Sequence, residues 1–306
     1  MRRSHAKVVG LCALAVLAAM EARTGVVDIH VDTTLVVVPV SVTDAQNRFV
    51  LGLDKQDFTL FEDGAEQTIK QFAGENAPIS VGLLVDVSGS MGTKVDLSRE
   101  AVKEFLKTLD RPDEASLIEF GDKAELAAGF SSNPNAIEEK LAHVEPEGLT
   151  ALLDAMSLGL SQMKNAKNTR KALLIISDGG DNHSRYTTAQ IKELVRQADV
   201  QVYSMGVYER FPAFALGAAE ITGPRLLRQL SEQTGGRAFS ASDASELPAI
   251  AARIGIELRN QYVLAYTPSN RKKDGAYRHL EVKIKTPAGL PALKARWRLG
   301  YYAPLN

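Results

Sequence analysis

The stretch Ile79-Ser80-Val81-Gly82-Leu83-Leu84-Val85-Asp86-Val87-Ser88-Gly89-Ser90-Met91-Gly92 decides the reading of this chain. Apart from Asp86, its first nine residues are apolar or small without alternation, the mark of a strand buried on both faces. Asp86, Ser88 and Ser90 then follow at every second position, closed by Gly89 and Gly92, so the strand runs into a turn rich in side-chain oxygens. From Leu97 to Leu109 the apolar residues Ala101, Val102, Phe105, Leu106 and Leu109 recur at helical spacing. Strand, polar turn and helix form the opening unit of a parallel α/β sheet.

The same grammar continues downstream. Ala115–Phe120, Ala124–Phe130, Lys171–Ser177, Val200–Val207 and Arg237–Ser240 read as strands. Helices are expected near Ala136–His143, Thr150–Met163, Thr188–Gln197, Leu226–Gln233 and Leu247–Leu258. The expectation is a doubly wound, mostly parallel six-stranded sheet with helices on both faces. Ala115–Phe120 and Ala124–Phe130 are too close for a helical crossover, so one of them must run antiparallel.

Outside this region the pattern is all β. Leu35–Val42 is β-branched, Phe58–Glu62 and Ala65–Phe72 flank an Asp63-Gly64 turn, and His279–Lys285 and Ala295–Leu299 alternate with period two. Residues 21–77 carry ten acidic against four basic side chains, a net −6, whereas residues 271–298 carry nine basic against two acidic, a net +7. These opposite charges suggest one small β domain built from both flanks, with the α/β domain inserted. The expected division is 1–22 signal peptide, 23–77 N-terminal β segment, 78–260 α/β domain and 261–306 C-terminal β segment.

The 306 residues hold 36 basic and 37 acidic side chains. That balance lacks the basic footprint of a nucleic-acid binder. Arg2, Arg3 and Lys7 precede an apolar run from Val8 to Met20 that is too short to span a bilayer, which suits a secretory signal ending near Ala22. An uncleaved anchor is the alternative. The expected location is secreted, periplasmic or cell-envelope, with no membrane span in the mature chain. The single cysteine, Cys12, lies in that segment, so the mature chain would have neither disulfides nor thiolate ligands.

Asp86, Ser88 and Ser90 offer oxygen donors only, which suit a hard cation: Mg²⁺ first, Mn²⁺ or Ca²⁺ as alternatives. A capping turn for the next helix would use the same residue types. Two further segments point to the same edge of the sheet. Gly148-Leu149-Thr150 places a hydroxyl at a helix start, and Ser177-Asp178-Gly179 places a carboxylate at the end of another buried strand.

Asp86-x-Ser88-x-Ser90, then Gly148-x-Thr150, then Asp178-Gly179 resembles the von Willebrand factor type A domain and its metal-ion-dependent adhesion site. The resemblance covers about Ile79–Leu258 and implies a Rossmann-like fold. It implies that Ser88, Ser90 and Thr150 give hydroxyls to the metal, with Asp86 and Asp178 acting directly or through water. It also implies an open metal position for an Asp or Glu carboxylate of a partner protein. Leu149 departs from the glycine that many relatives have there. Rim candidates are Asp181, Asn182, His183 and Tyr186, with Phe211 and Phe214 on the loop after Val207. The flanks, through Asp57-Phe58, Glu62-Asp63-Gly64 and Leu299-Gly300-Tyr301-Tyr302, resemble an exported acidobacterial family with such a core.

Two other functions compete with metal-dependent adhesion. Ser88-Gly89-Ser90-Met91-Gly92 is similar to a degenerate nucleophile elbow, which would make Ser90 a hydrolase nucleophile with Asp178 or Asp181 and His183 or His279. The spacing opposes this, because His183 follows Asp178 by five residues on one loop. The third reading is a structural envelope scaffold with an unused metal site. The expectation is a binding module rather than an enzyme.

Overall fold

The computed structural model describes residues 35–74, 76–142, 144–207, 218–287 and 289–305, all within one compact unit, Thr34–Asn306. The signal segment and the rim residues Phe211 and Phe214 lie outside the described residues.

Strands β1 (Val36–Thr43), β2 (Phe58–Glu62), β3 (Ala65–Gln67) and β4 (Ile69–Ala73) precede β5 (Ile79–Asp86) and α1 (Lys94–Leu106). Then come β6 (Glu114–Phe120), β7 (Ala124–Ser131), α2 (Asn135–Leu141), α3 (Leu152–Gln162), β8 (Arg170–Ile176) and α4 (Thr188–Gln197). The order continues with β9 (Gln201–Val207), α5 (Ala218–Thr234), β10 (Ala238–Ala241) and α6 (Leu247–Arg259). It ends with β11 (Tyr262–Tyr266), β12 (Tyr277–Ile284), β13 (Lys294–Arg296) and β14 (Gly300–Tyr302).

Six strands form the central sheet in the order β10-β9-β8-β5-β6-β7, all parallel except β7, which runs antiparallel to β6. Every residue of β5 is buried, which is why the run lacks alternation. Val81, Leu83 and Val85 face a core with Phe105 of α1 and Ile254 of α6, while Leu84 faces one with Met156 of α3. β5 pairs with β6 on one side and β8 on the other, so successive connections leave in opposite directions. This switch point of strand order lies at the carboxyl end of β5, where Asp86 stands.

The flanks form two antiparallel sheets, β13-β1-β11-β4 and β14-β12-β2-β3, each mixing N- and C-terminal strands. Val38, Leu60, Leu264 and Val282 from both sheets share one apolar core. Backbone pairing and apolar burial join the segments. Some of the charge pairs within its own segment, as in Arg48 with Asp44 and Arg278 with Asp274; the exposed His279–Asp63 pair, 3.7 Å, spans the two. Near the junction, Arg170 donates to the carbonyls of Ala77 and Leu258 and to Gln261 Oε1, and Gln261 donates to Ser41 Oγ.

Beside shifts of two or three residues, as at α1 (expected over Leu97–Leu109) and α3 (expected over Thr150–Met163), three larger differences from the sequence reading stand out. The strand expected over Ala65–Phe72 breaks at Thr68, and β3 and β4 enter different sheets while Gln67 is pinned by Ser269. Ala295–Leu299 stays a strand only to Arg296. Its remainder docks on the end of α5, with Leu299 N–H donating to Gln233 O. The helix expected from Leu226 begins at Ala218 and carries Pro224 inside it as its seventh residue.

Candidate functional site

Asp86 ends the central strand with its side chain fully buried. Its Oδ1 accepts hydrogen bonds from Ser88 N–H (3.0 Å) and Ser88 Oγ (2.5 Å), and its Oδ2 accepts from Ser177 Oγ (2.6 Å). Ser88 Oγ lies 3.1 Å from Ser90 Oγ, so the chain of polar atoms runs from a buried carboxylate to an exposed hydroxyl. Burial pushes the Asp86 carboxyl up to about 6 against the lowering effect of these hydrogen bonds, and the nearby Asp178 charge adds to the rise. Among the described residues, no Lys, Arg or His forms an ion pair with Asp86 or Asp178.

Asp178 stands half-exposed just after β8, and its Oδ1 accepts from Gly180 N–H at 3.3 Å. Gly179, at φ +83°, lets the chain turn against α5, where the backbones of Gly179 and Gly223 are too close for a β-carbon on Gly223.

The segment from Glu147 to Ala151 brings in Thr150. Glu147 N–H donates to Val87 O (3.0 Å), and Gly148 O accepts from Gly89 N–H (3.1 Å). Leu149 N–H donates to Asp122 Oδ1 (2.6 Å), Thr150 N–H to Asn182 Oδ1 (2.9 Å) and Ala151 N–H to Gly121 O (2.8 Å). Thr150 O accepts from the N–H groups of Asn182 (3.0 Å) and His183 (3.1 Å). The three segments singled out in the sequence are therefore bonded to one another at one edge of the sheet. All five candidate residues fall there: Asp86, Ser88 and Thr150 buried, Asp178 half-exposed and Ser90 exposed.

Sequence reasoning missed the residues that hold this arrangement. Ser177 both bonds Asp86 and accepts from Gly179 N–H (3.0 Å). Asp154, nearly buried on α3, accepts from the N–H groups of Arg185 (2.9 Å) and Tyr186 (3.1 Å) and from Arg185 Nε (3.0 Å). Burial raises the Asp154 carboxyl, but these hydrogen bonds and the guanidinium outweigh it and hold the group low. Asp181, expected at the rim, instead turns its Oδ1 inward to accept from Leu153 N–H (3.3 Å) and Ser184 Oγ (2.5 Å), so the loop after β8 is fastened to the start of α3.

The donor chemistry fits a hard divalent cation: carboxylate and hydroxyl oxygens, with a buried negative charge that no basic side chain among the described residues neutralises. A hydrolase triad receives no such support. Ser90 Oγ meets Ser88 Oγ, His183 lines a groove of about 550 Å³ between α3, the β6–β7 turn and the loop after β8, and His279 faces Asp63 in the β flank. No Ser–His hydrogen bond occurs among the described residues.

Residues 81–180 match the sequence model of the von Willebrand factor type A domain. An uncharacterised protein of Borreliella burgdorferi is 23% identical over 201 residues, which cover 59% of this chain and 59% of that protein. Inter-alpha-trypsin inhibitor heavy chain 4 of Mus musculus is 25% identical over 196 residues, 58% of this chain and 20% of its own length. The chain thus spans less than two thirds of either relative. The crystal structure of a von Willebrand factor type A protein from Catenulispora acidiphila superposes with a TM-score of 0.51 at 13% identity, covering 88% of this chain and 73% of that one, a likeness of fold.

Proposed function

Taking as premise that the chain carries a von Willebrand factor type A domain, a module that often mediates protein–protein interaction, we propose that it is an exported, metal-dependent protein-binding module. Asp86, Ser88, Ser90, Thr150 and Asp178 would hold a divalent cation, Mg²⁺ first and Mn²⁺ or Ca²⁺ as alternatives. The observation that carries this reading is the buried Asp86 carboxylate, which has hydrogen-bond donors on both oxygens but, among the described residues, no cationic partner. A buried carboxylate in that state is costly unless a positive charge compensates it.

When bound, the cation would supply a Lewis-acidic position for a carboxylate presented by an Asp or Glu of the partner protein. The chain's own residues do the rest. Ser88 and Ser177 orient the buried carboxylate, and the Asn182 side chain fixes the backbone that carries Thr150. Exposed Ser90 and half-exposed Asp178 mark the solvent side from which a partner would approach. The basic-then-apolar stretch Arg2–Met20 supports export. Among the described residues no helix is long and apolar enough to cross a membrane.

Isothermal titration with MgCl₂ and MnCl₂, comparing the wild type with Asp86→Ala, tests the proposal. Saturable heat in the wild type and its loss in the variant are expected. Identical traces would leave an envelope scaffold as the better description. Fluorophosphonate labelling of Ser90 would instead revive the hydrolase.

A further inference from the structure

The loop that delivers Thr150 also presents Leu149, and the two neighbours are treated oppositely. Thr150 is 4% exposed, whereas Leu149 is 44% exposed. An exposed leucine on a floppy loop would mean little, since scattered apolar side chains on a surface are normal. This loop is held at every residue. The amides of Glu147, Leu149, Thr150 and Ala151 all donate to fixed acceptors, and the carbonyls of Gly148 and Thr150 accept from Gly89, Asn182 and His183.

Gly148 shows how specific the hold is. At φ +75° it adopts a conformation that suits glycine, and a β-carbon there would lie 2.6 Å from Asp122 Oδ1. That same oxygen binds the Leu149 amide, so the Asp122 carboxylate occupies the space that Gly148 leaves and aims the next residue. Leu149 is consequently an apolar side chain held on a rigid backbone, one residue from a candidate metal ligand. A residue whose backbone is already held loses little backbone entropy when its side chain is covered by a partner.

We propose that Leu149 is a specificity-determining residue: it selects partner segments in which the acidic residue is flanked by an aliphatic or aromatic side chain. This rests on the proposed function, since the cation would hold the partner's carboxylate while Leu149 covers its neighbour. Burying one such side chain against Leu149 corresponds to roughly tenfold in affinity.

The test uses the full chain and an array of immobilised peptides Ser-Ala-X-Asp-Z-Ala-Ser, with X and Z varied over Ser, Leu, Phe, Lys and Glu. Binding is read in MgCl₂ and in EDTA for the wild type, Leu149→Ser and Leu149→Ile. The expected result is EDTA-sensitive binding that favours Leu or Phe beside Asp by about tenfold over Ser. That preference should collapse towards unity in L149S and persist in L149I, with thermal melts showing that both variants are folded. EDTA-sensitive binding that ignores the neighbours, or a preference that survives in L149S, overturns the role of Leu149 and leaves the adhesion reading standing. Binding equal in MgCl₂ and EDTA overturns both.

Discussion

Asp86→Asn should make the metal-free chain more stable while removing its response to Mg²⁺. The carboxylate is fully buried, and burial raises its proton affinity from the ordinary 3.8 to about 6. A rise of roughly two units makes the ionised native state about 3 kcal/mol less favourable above both values. Asparagine removes that charge and keeps an acceptor for Ser88 N–H and Ser88 Oγ, but it turns a donor or a mismatched amide towards Ser177 Oγ. That mismatch returns about 1–2 kcal/mol, leaving a net gain of about 1–2 kcal/mol, or a few degrees in melting temperature.

The pH dependence follows from the direction of the shift. A carboxyl raised in the native state binds more protons folded than unfolded between about 4 and 6. Wild-type stability therefore falls as pH rises through that window. The advantage of the asparagine variant should be complete above about 6.5 and give way near pH 3.8 to a deficit of about 1–2 kcal/mol, the amide mismatch alone. Differential scanning fluorimetry in EDTA across this range, repeated with MgCl₂, reads both effects. Ligand linkage should raise the wild-type midpoint in MgCl₂ and leave the variant unmoved. A variant that melts below the wild type in EDTA at neutral pH would falsify the claim that desolvation, rather than hydrogen bonding, dominates at Asp86.

Ser177→Ala removes a donor to Asp86 Oδ2 and an acceptor for Gly179 N–H, so urea unfolding should show a loss of about 1–3 kcal/mol, with weaker Mg²⁺ heat by calorimetry. Gly148→Ala places a β-carbon against Asp122 at a positive φ, with about 1–2 kcal/mol of backbone strain before the Leu149 amide bond is lost; chemical denaturation compared with Asp122→Ala separates the two effects. Gly235→Ala, also at positive φ, drives a β-carbon to 2.5 Å from the Trp297 carbonyl carbon. Trp297 is the only tryptophan, so a red-shifted emission spectrum would report its segment lifting from α5.

What could be read from sequence and what could not divide along a physical line. The run Ile79–Asp86 announces a doubly covered strand because burial on both faces forbids alternation, and Thr188–Gln197 was legible to the residue because Thr187 and Gln190 form a local capping box. The parallel sheet itself brings Asp86 and Asp178 to one edge, since strands that run the same way end together. The opposite charges of the flanks pointed to their association, but the spanning pair His279–Asp63 is exposed, and the shared sheets and apolar core hold the segments. Period-two patterning says which side chains face inward but not which sheet a strand joins, so the break at Thr68 and the departure at Trp297 were invisible.

The same limit explains the misses at the candidate site. Ser177 lies 91 residues from Asp86, Asp122 lies 27 from Leu149, and Asp154 lies 31 from Arg185. Each looks ordinary in its own window, where a serine ends a strand, an aspartate sits in a turn and another aspartate opens a helix. Residue type and spacing can disclose oxygens that share a turn, because a turn is local. Which distant side chain orients them is decided only after the sheet has closed. The orienting groups also cannot be spared: with its charge buried, Asp86 needs donors on both oxygens whether or not a cation is present. Substitutions at Ser177 or Asp122 should therefore register in stability measurements made without any metal, whereas those at exposed Ser90 or Leu149 should register chiefly in binding.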